Sequence, residues 1–414
     1  MLTGGLNESL DPKELNEGIA FAKKLGRALH RHGAPAYRLE AVLDTLSRLL
    51  GLRGDFFTTP SALFYAFDLP GEGGRAYLQR VRGTRIHFAR LIALDRVFND
   101  AVLRRTSLQE ADANLDRALA APSPWPPWAV ALAFVAAACA AASFYRGGPA
   151  ELALAAAAGA ALALAHLAAR PSEALARLFE PLGAFAVAFT ATALAPRFGA
   201  SADIATLAGL VVLVPGFSIT VAATELATGH PVSGSGRMAN ALMTLLMLGF
   251  GAGFGRALAA RAFGAAEAAA AVAPLPAWTE PAALTLAGLA LGVLFQARPR
   301  DLPVVVAAVI VPWFVLRAAT DHTGLEGALF LAAFANGLAA HAWARWRDLP
   351  SMIVRLPGML ILVPGGTGFL SISALMEGDA LSGVQILFRV GISAIAIVTG
   401  ILLATVVLPP RKAL

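Results

Sequence analysis

Hydrophobic and polar positions divide the chain near residue 126. Beyond it, apolar runs follow one another with short polar stretches between them. Several runs approach the ~20 residues that a helix needs to cross a bilayer core. The pattern predicts a multi-span α-helical membrane protein with about ten transmembrane helices. We place these spans at 128–145, 150–169, 178–195, 203–222, 237–259, 282–297, 302–319, 325–344, 353–372 and 384–408.

The first 121 residues have a different pattern, in which short amphipathic segments surround an aromatic and Thr-rich stretch. Helical spacing of apolar residues alternates there with strand-like spacing, which predicts a small cytoplasmic α/β domain over residues 1–121. Residues 122–127 then form a Pro-rich connector. The predicted elements are helices at 11–32, 36–50, 86–105 and 108–120, the last with a Ser107–Glu110 capping box, and strands within 54–68 and 75–82.

One segment of the apolar part occurs twice. Residues 209–234 and 358–383 are identical at nine of 26 positions without a gap, and five of the nine are Pro or Gly. Shared apolar composition does not explain such identities, so we interpret them as an internal repeat. Each copy has Val-Pro-Gly after an apolar run, and Pro and Gly together predict a broken or kinked helix.

The repeat divides the membrane part into residues 128–275 and 276–414, with five predicted spans each. Because five is odd, the second half should cross the membrane in the opposite orientation. Ten basic residues against five then fall on the cytoplasmic side, which predicts that both termini are cytoplasmic. The two breaks would face each other across a pseudo-two-fold axis, where secondary transporters of this architecture bind substrate.

Composition excludes several other classes of protein. Apolar residues make up 57% of the chain and charged residues only 14%, as expected for a partner of membrane lipid. The net charge of +6 is explained by cytoplasmic loops, and no platform for nucleic acid is present. The single cysteine, Cys139, excludes disulfides and cysteine metal sites within the chain. We predict no cofactor, no metal and no enzymatic activity, and a homo-oligomer is possible.

Polar and flexible residues beside the two breaks are the candidate substrate site. Hydroxyl groups next to freed backbone groups suit a small zwitterion, because half-helix N-termini favour a carboxylate and carbonyl groups favour an ammonium. Ser and Thr also bond carbonyls within any membrane helix, which is the alternative interpretation. The candidate residues are Pro215, Gly216, Ser218, Thr220, Pro364, Gly365, Gly366, Thr367, Ser371 and Arg389.

Two ionisable residues in or beside the spans carry separate hypotheses. Glu225 is the candidate proton-coupling residue, because burial raises a carboxyl pKa towards a range in which it carries a proton. The alternative is a solvated loop residue after the end of its span. Arg389 is a candidate to hold a substrate carboxylate or to pair with an acidic residue, and the alternative is that it extends to the outer membrane interface.

The motifs that carry a family resemblance are HRHGAPAYRLEAVLDTLSRLLGL at 30–52, VPGFSITVAATELATGHPVSGSGRMANAL at 214–242 and LVPGGTGFLSISALMEGD at 362–379. Together they resemble the threonine/serine exporter (ThrE) family over nearly the whole chain. The resemblance implies a carrier in the bacterial inner membrane that exports threonine or serine, driven by the membrane potential or by proton influx. Relatives with separate halves are associated with dicarboxylate export, so that substrate class stays open.

An enzyme would have to use the N-terminal residues. His30, His32, His87, Glu40 and Asp44 are the only candidates for a hydrolytic or metal cluster there. No nucleophile elbow or His-Glu-x-x-His motif accompanies them. A membrane-anchored hydrolase is therefore the alternative function outside transport.

Overall fold

The N-terminal part consists of four helices around a three-stranded sheet. The computed structural model describes residues 12–69, 73–83, 85–264, 272–363, 365–376 and 378–410. Pro364, one of the candidate site residues, lies outside them. The N-terminal elements are α1 (Pro12–Arg31), α2 (Ala36–Leu49), β1 (Arg53–Thr59), β2 (Ala62–Leu69), β3 (Gly73–Arg80), α3 (Phe88–Val102) and α4 (Leu108–Ala120).

These elements follow the predicted periodicities. On α2, Leu39, Val42 and Leu46 lie on one face and are fully buried. The aromatic stretch forms an antiparallel hairpin, with Phe56 opposite Tyr65, because Pro60 falls in the turn between β1 and β2. The strands pair in the order β1-β2-β3.

The predicted capping box at the start of α4 is confirmed. The Ser107 side chain accepts a hydrogen bond from the Glu110 amide, and the Glu110 carboxylate accepts one from the Ser107 amide. Each bond satisfies a backbone donor that the first turn of a helix leaves unpaired. Helix α4 therefore begins where the sequence predicts.

The N-terminal core is continuous with the membrane part. Ala297, Val305 and Met352 belong to the same cluster of buried side chains as the cores of α1 to α4. The rings of Phe88 and Phe295 lie 5.5 Å apart, and the Trp125 indole donates to the Ala297 carbonyl at 2.7 Å. The described N-terminal elements thus pack against the second half, and the independence of residues 1–121 as a domain stays a prediction.

The regular elements of the membrane part are all helices within its described residues. Its α-helices are α5 (Pro127–Phe144), α6 (Pro149–Ala169), α7 (Glu173–Arg177), α8 (Phe179–Phe198), α9 (Ala202–Leu210), α10 (Gly216–Ala227), α11 (Pro231–Phe263), α12 (Glu280–Leu294), α13 (Leu302–Arg347), α14 (Met352–Leu362), α15 (Gly365–Met376) and α16 (Ala380–Val407).

The number of single helices that could cross a membrane is smaller than the ten spans predicted from the sequence. Among the described residues, seven are long and apolar enough to cross a membrane, or eight if the bent pair α14 and α15 is one span. The fourth predicted span is divided into α9 and α10, of 9 and 12 residues, each too short to cross alone. The seventh and eighth both lie in α13, whose backbone leaves helical geometry at Gly324. The total of ten transmembrane spans therefore stays a prediction.

Several packing contacts recur 149 residues apart. Gly251 lies directly against the carbonyl oxygen of Pro181, and Gly400 lies in the same way against that of Phe330. Both members of the second pair are 149 positions beyond those of the first. The turn after α10, with the His230 amide donating to the Glu225 carbonyl, has its counterpart after α15 in Asp379 and Ala374. The opposite orientation of the two halves stays a prediction.

Candidate functional site

Both Val-Pro-Gly segments interrupt helices, as predicted. Helix α9 ends at Leu210 and α10 begins at Gly216, while α14 ends at Leu362 and α15 begins at Gly365. The Gly216 amide donates to the Val214 carbonyl at 2.8 Å, and the Gly365 amide donates to the Val363 carbonyl at 2.7 Å. The same tight turn therefore forms at both breaks.

The two breaks contact each other reciprocally. A Cβ atom added to Gly216 would lie 2.8 Å from Cγ1 of Val363, and one added to Gly365 would lie 3.0 Å from Cγ1 of Val214. Each glycine thus packs against the valine of the other break, so closely that an added side chain would force the opposing valine or the backbone to shift. The fold brings together two segments that the sequence separates by about 150 residues.

The hydroxyl residues divide into two groups. Thr220 and Ser371 are fully buried, and their hydroxyls donate to the carbonyls of Gly216 at 3.2 Å and Gly383 at 2.7 Å. These two satisfy helix carbonyls, which is the alternative interpretation of their role. Ser218 is half-buried and Thr367 is exposed, so neither side chain is enclosed in the helix packing.

Tyr145 is a site residue that the sequence analysis missed. Its hydroxyl lies directly against Gly366, at a position that a Cβ atom there would occupy. Tyr145 ends α5, and the only sequence signal was a tyrosine at the end of a span. Arg389 is exposed on α16, which leaves its proposed contact with substrate as a prediction.

Glu225 lies in α10 and is fully buried, so the interpretation as a solvated loop residue is wrong. Its carboxylate forms a bidentate ion pair with Arg237. Nε of Arg237 donates to Oε2 of Glu225 at 3.1 Å, and Nη2 donates to Oε1 at 3.2 Å. The carboxylate also accepts bonds from the Ser233 hydroxyl at 3.0 Å and from the Ala36 amide at 3.1 Å. Ala36 is the first residue of α2, and a negative charge at a helix N-terminus interacts favourably with the helix dipole.

Two further contacts hold the first turns of α2. Nε2 of His230 lies 3.2 Å from Oε2 of Glu40, whose other oxygen accepts from the Thr58 amide at 2.8 Å. The Tyr37 phenol bonds to the guanidinium groups of Arg355 and Arg38. Removal from water alone would raise the Tyr37 pKa, but the positive charges of Arg355 and Arg38 outweigh this and lower it. Helix α2 is therefore tied to both halves of the membrane part.

The residues proposed for a hydrolytic cluster have separate structural partners. Nε2 of His30 lies 2.8 Å from the Thr59 carbonyl, and Nδ1 of His32 lies 3.4 Å from the Arg85 carbonyl. Asp44 pairs with Arg48 at 2.7 Å, one turn along α2. The geometry thus gives these side chains roles in holding N-terminal elements together.

The pKa of His87 predicts that the folded protein loses stability in acid. Burial, with smaller contributions from Arg90 and His32, lowers its pKa from the ordinary 6.5 to about 4. Between pH 6.5 and 4 the unfolded chain binds a proton that folded His87 does not, so stability present above pH 6.5 is lost as the pH falls. We expect the melting temperature to fall across this window.

The variant His87→Asn tests this expectation, because asparagine also caps the N-terminus of α3, which His87 caps through Nδ1. Its melting temperature should depend less on pH between 6.5 and 4 than that of the wild type. Equal slopes for the two proteins would contradict the assignment.

Comparisons with known proteins agree with the sequence motifs. Residues 20–259 match the family model ThrE, and residues 282–407 match a second model described as "Threonine/Serine exporter, ThrE". No solved structure matches the chain.

Several similar curated proteins come from yeasts. Pheromone-regulated membrane protein 10 of Kluyveromyces lactis is 26% identical over 385 residues, which cover 88% of this chain and 38% of the relative. Its Saccharomyces cerevisiae counterpart is 27% identical over 374 residues, covering 88% and 47%. The chain spans less than half the length of these two relatives. With both family models matched in order along one polypeptide, the chain belongs to the threonine/serine exporter (ThrE) family of membrane proteins.

Proposed function

We propose that the protein is a secondary exporter of threonine, serine or a related small polar metabolite, coupled to proton influx. The observation that carries this proposal is the reciprocal contact between the two helix breaks, with Gly216 against Val363 and Gly365 against Val214. Broken helices at membrane depth leave backbone groups that need protein, water or substrate as partners. Carriers built from repeated halves bind substrate at such a contact.

The chemistry beside the breaks suits a zwitterion. The N-termini of α10 and α15 begin at Gly216 and Gly365 and present positive dipole ends, which favour a carboxylate. The C-terminal carbonyls of α9 and α14 favour an ammonium group. Ser218, Thr367 and the Tyr145 phenol add hydroxyl groups in the same region.

Glu225 remains the proposed coupling residue. A proton on its carboxylate would remove the charge that attracts Arg237 and the α2 N-terminus. Proton binding would therefore weaken the docking of α2 on α10. This links the proton to a movement of the N-terminal helices, without any catalytic step.

A dicarboxylate exporter is the second candidate. It is favoured by the two buried guanidinium groups, Arg38 and Arg355, which lie together on the cytoplasmic side of the predicted topology. A membrane-anchored hydrolase would need N-terminal catalytic residues, and the candidates for that role have structural partners.

The bacterial inner membrane stays a prediction of the sequence. Relatives in yeasts indicate that similar chains occur in eukaryotic membranes. Exposed aromatic side chains on the long helices, such as Phe250, Phe254 and Phe388, are suited to contact lipid.

Efflux of preloaded radiolabelled threonine, serine and succinate from proteoliposomes tests the proposal, with and without a proton gradient. We expect threonine or serine efflux that the gradient accelerates, and empty liposomes are the control. Succinate efflux alone would favour the second candidate, and no efflux of any of the three would contradict both.

A further inference from the structure

A narrow pocket lies between α10, α14 and the first turn of α2. Its cavity of about 20 Å³ has room for one or two water molecules. Pro35, which precedes α2, and Tyr37 of α2 form one wall, so the start of α2 closes the pocket over side chains of α10 and α14. The rest of the lining is apolar except for Thr224 and Arg355.

Arg355 is the only charged residue of this lining, and no ion pair links its side chain to a carboxylate of the described residues. The residue is 7% exposed. Its guanidinium hydrogen-bonds to the Tyr37 phenol. Burying a charge without an opposite charge costs several kcal/mol. Such a residue in a membrane protein usually marks a pathway for an ion or substrate.

A second buried arginine raises the local positive charge. Arg38 is also 7% exposed. Burial first, and then the charge of Arg355, lower its pKa to about 10, while Asp95 of α3 acts in the opposite direction. Arg38 and Arg355 thus place two positive charges side by side next to the pocket. An anion bound there would relieve both the repulsion and the burial cost of Arg355.

We propose that Arg355 binds the carboxylate group of the transported molecule, with the Tyr37 hydroxyl as a second contact. A guanidinium presents two parallel N–H donors that match a carboxylate. The oxygens of that group replace the one or two waters for which the pocket has room, and the rest of the molecule takes the space that α2 vacates. This inference rests on the proposed function and narrows the substrate class to small molecules with a carboxylate.

Equilibrium binding to the purified full chain in nanodiscs tests the assignment independently of transport. The probes are threonine, serine and succinate, with threoninol as the matched ligand that lacks the carboxylate. We expect wild type to bind at least one carboxylate and not threoninol. Arg355→Gln should weaken carboxylate binding about 10- to 100-fold, and Arg355→Lys less, because lysine keeps the charge but not the paired donors.

Arg177→Gln, which changes an exposed arginine of α7, is the control and should bind as wild type does. Thermal melting of each variant separates misfolding from loss of the site, and Arg355→Lys serves if Arg355→Gln does not fold. Unchanged binding by folded Arg355→Gln or Arg355→Lys would overturn the inference, and so would wild type that binds no carboxylate or binds threoninol equally.

Efflux assays on the same preparations keep the two proposals apart. Binding that depends on Arg355 without any efflux would contradict the exporter but support this site. Gradient-dependent efflux that folded Arg355→Gln retains in full would support the exporter and overturn the site.

Discussion

Glu225→Gln is expected to destabilise the protein by about 3 kcal/mol and to make efflux independent of the proton gradient. Its carboxylate is fully buried and holds Arg237, Ser233 and the Ala36 amide together. Removing one partner of a buried ion pair leaves the other charge uncompensated, which costs roughly 3–5 kcal/mol. We expect the lower end of this range because the Arg237 side chain is 20% exposed. Glutamine also imitates the protonated state of the proposed coupling residue.

Thermal melting and gradient-driven efflux measure these two effects. The double variant Glu225→Gln, Arg237→Gln should regain part of the lost stability, because it removes the unpaired charge. Glu173→Gln is the control: it breaks an exposed pair with Arg177 at 3.7 Å, which contributes little. A Glu225→Gln protein that melts as wild type does and keeps gradient-dependent efflux would refute both roles of Glu225.

Gly216→Ala is expected to abolish most efflux while costing about 1–3 kcal/mol of stability. The new Cβ atom would lie 2.8 Å from Cγ1 of Val363, so the two breaks must separate. Valine is stiff about its first side-chain torsion and cannot simply turn away. If substrate binds where the breaks meet, this separation removes the site even though the helices still insert.

Trimming the opposing side chain provides the rescue. Val363→Ala in the Gly216→Ala background removes the clashing methyl group and should restore efflux and melting temperature together. Gly253→Ala is the matched control, because a Cβ atom on this α11 glycine has no neighbour within 4 Å and alanine favours a helix. Full activity of Gly216→Ala alone would show that the contact between the breaks is not required for export.

Much of the fold was predictable because it depends on local chemistry. Pro-Gly ends a helix through a missing donor and a missing side chain, so the breaks at Gly216 and Gly365 were expected. The capping box at Ser107 is equally local. The number of spans was less predictable, since α9 and α10 are individually short and α13 continues through the change in backbone geometry at Gly324.

The partners of the ionisable residues were not predictable. Arg237 and Arg355 entered the sequence analysis only as basic residues of cytoplasmic loops. Glu225 accepts a bond from an amide 189 residues away, and no local signal reports such a pairing. Arg389, which the sequence favoured as a carboxylate ligand, is exposed, whereas Arg355 is buried in a pocket.

The sequence by itself determined that this is a helical membrane protein of the threonine/serine exporter family with two Val-Pro-Gly breaks, because apolar run length and Pro-Gly chemistry act over a few residues. Only the tertiary structure decided that the breaks touch, that Glu225 holds the start of α2, and that Arg355 is buried in a pocket beneath it. Those contacts depend on how helices that are distant along the chain pack together. Packing determines which side chains are buried and which charges pair, and local sequence patterns do not report it.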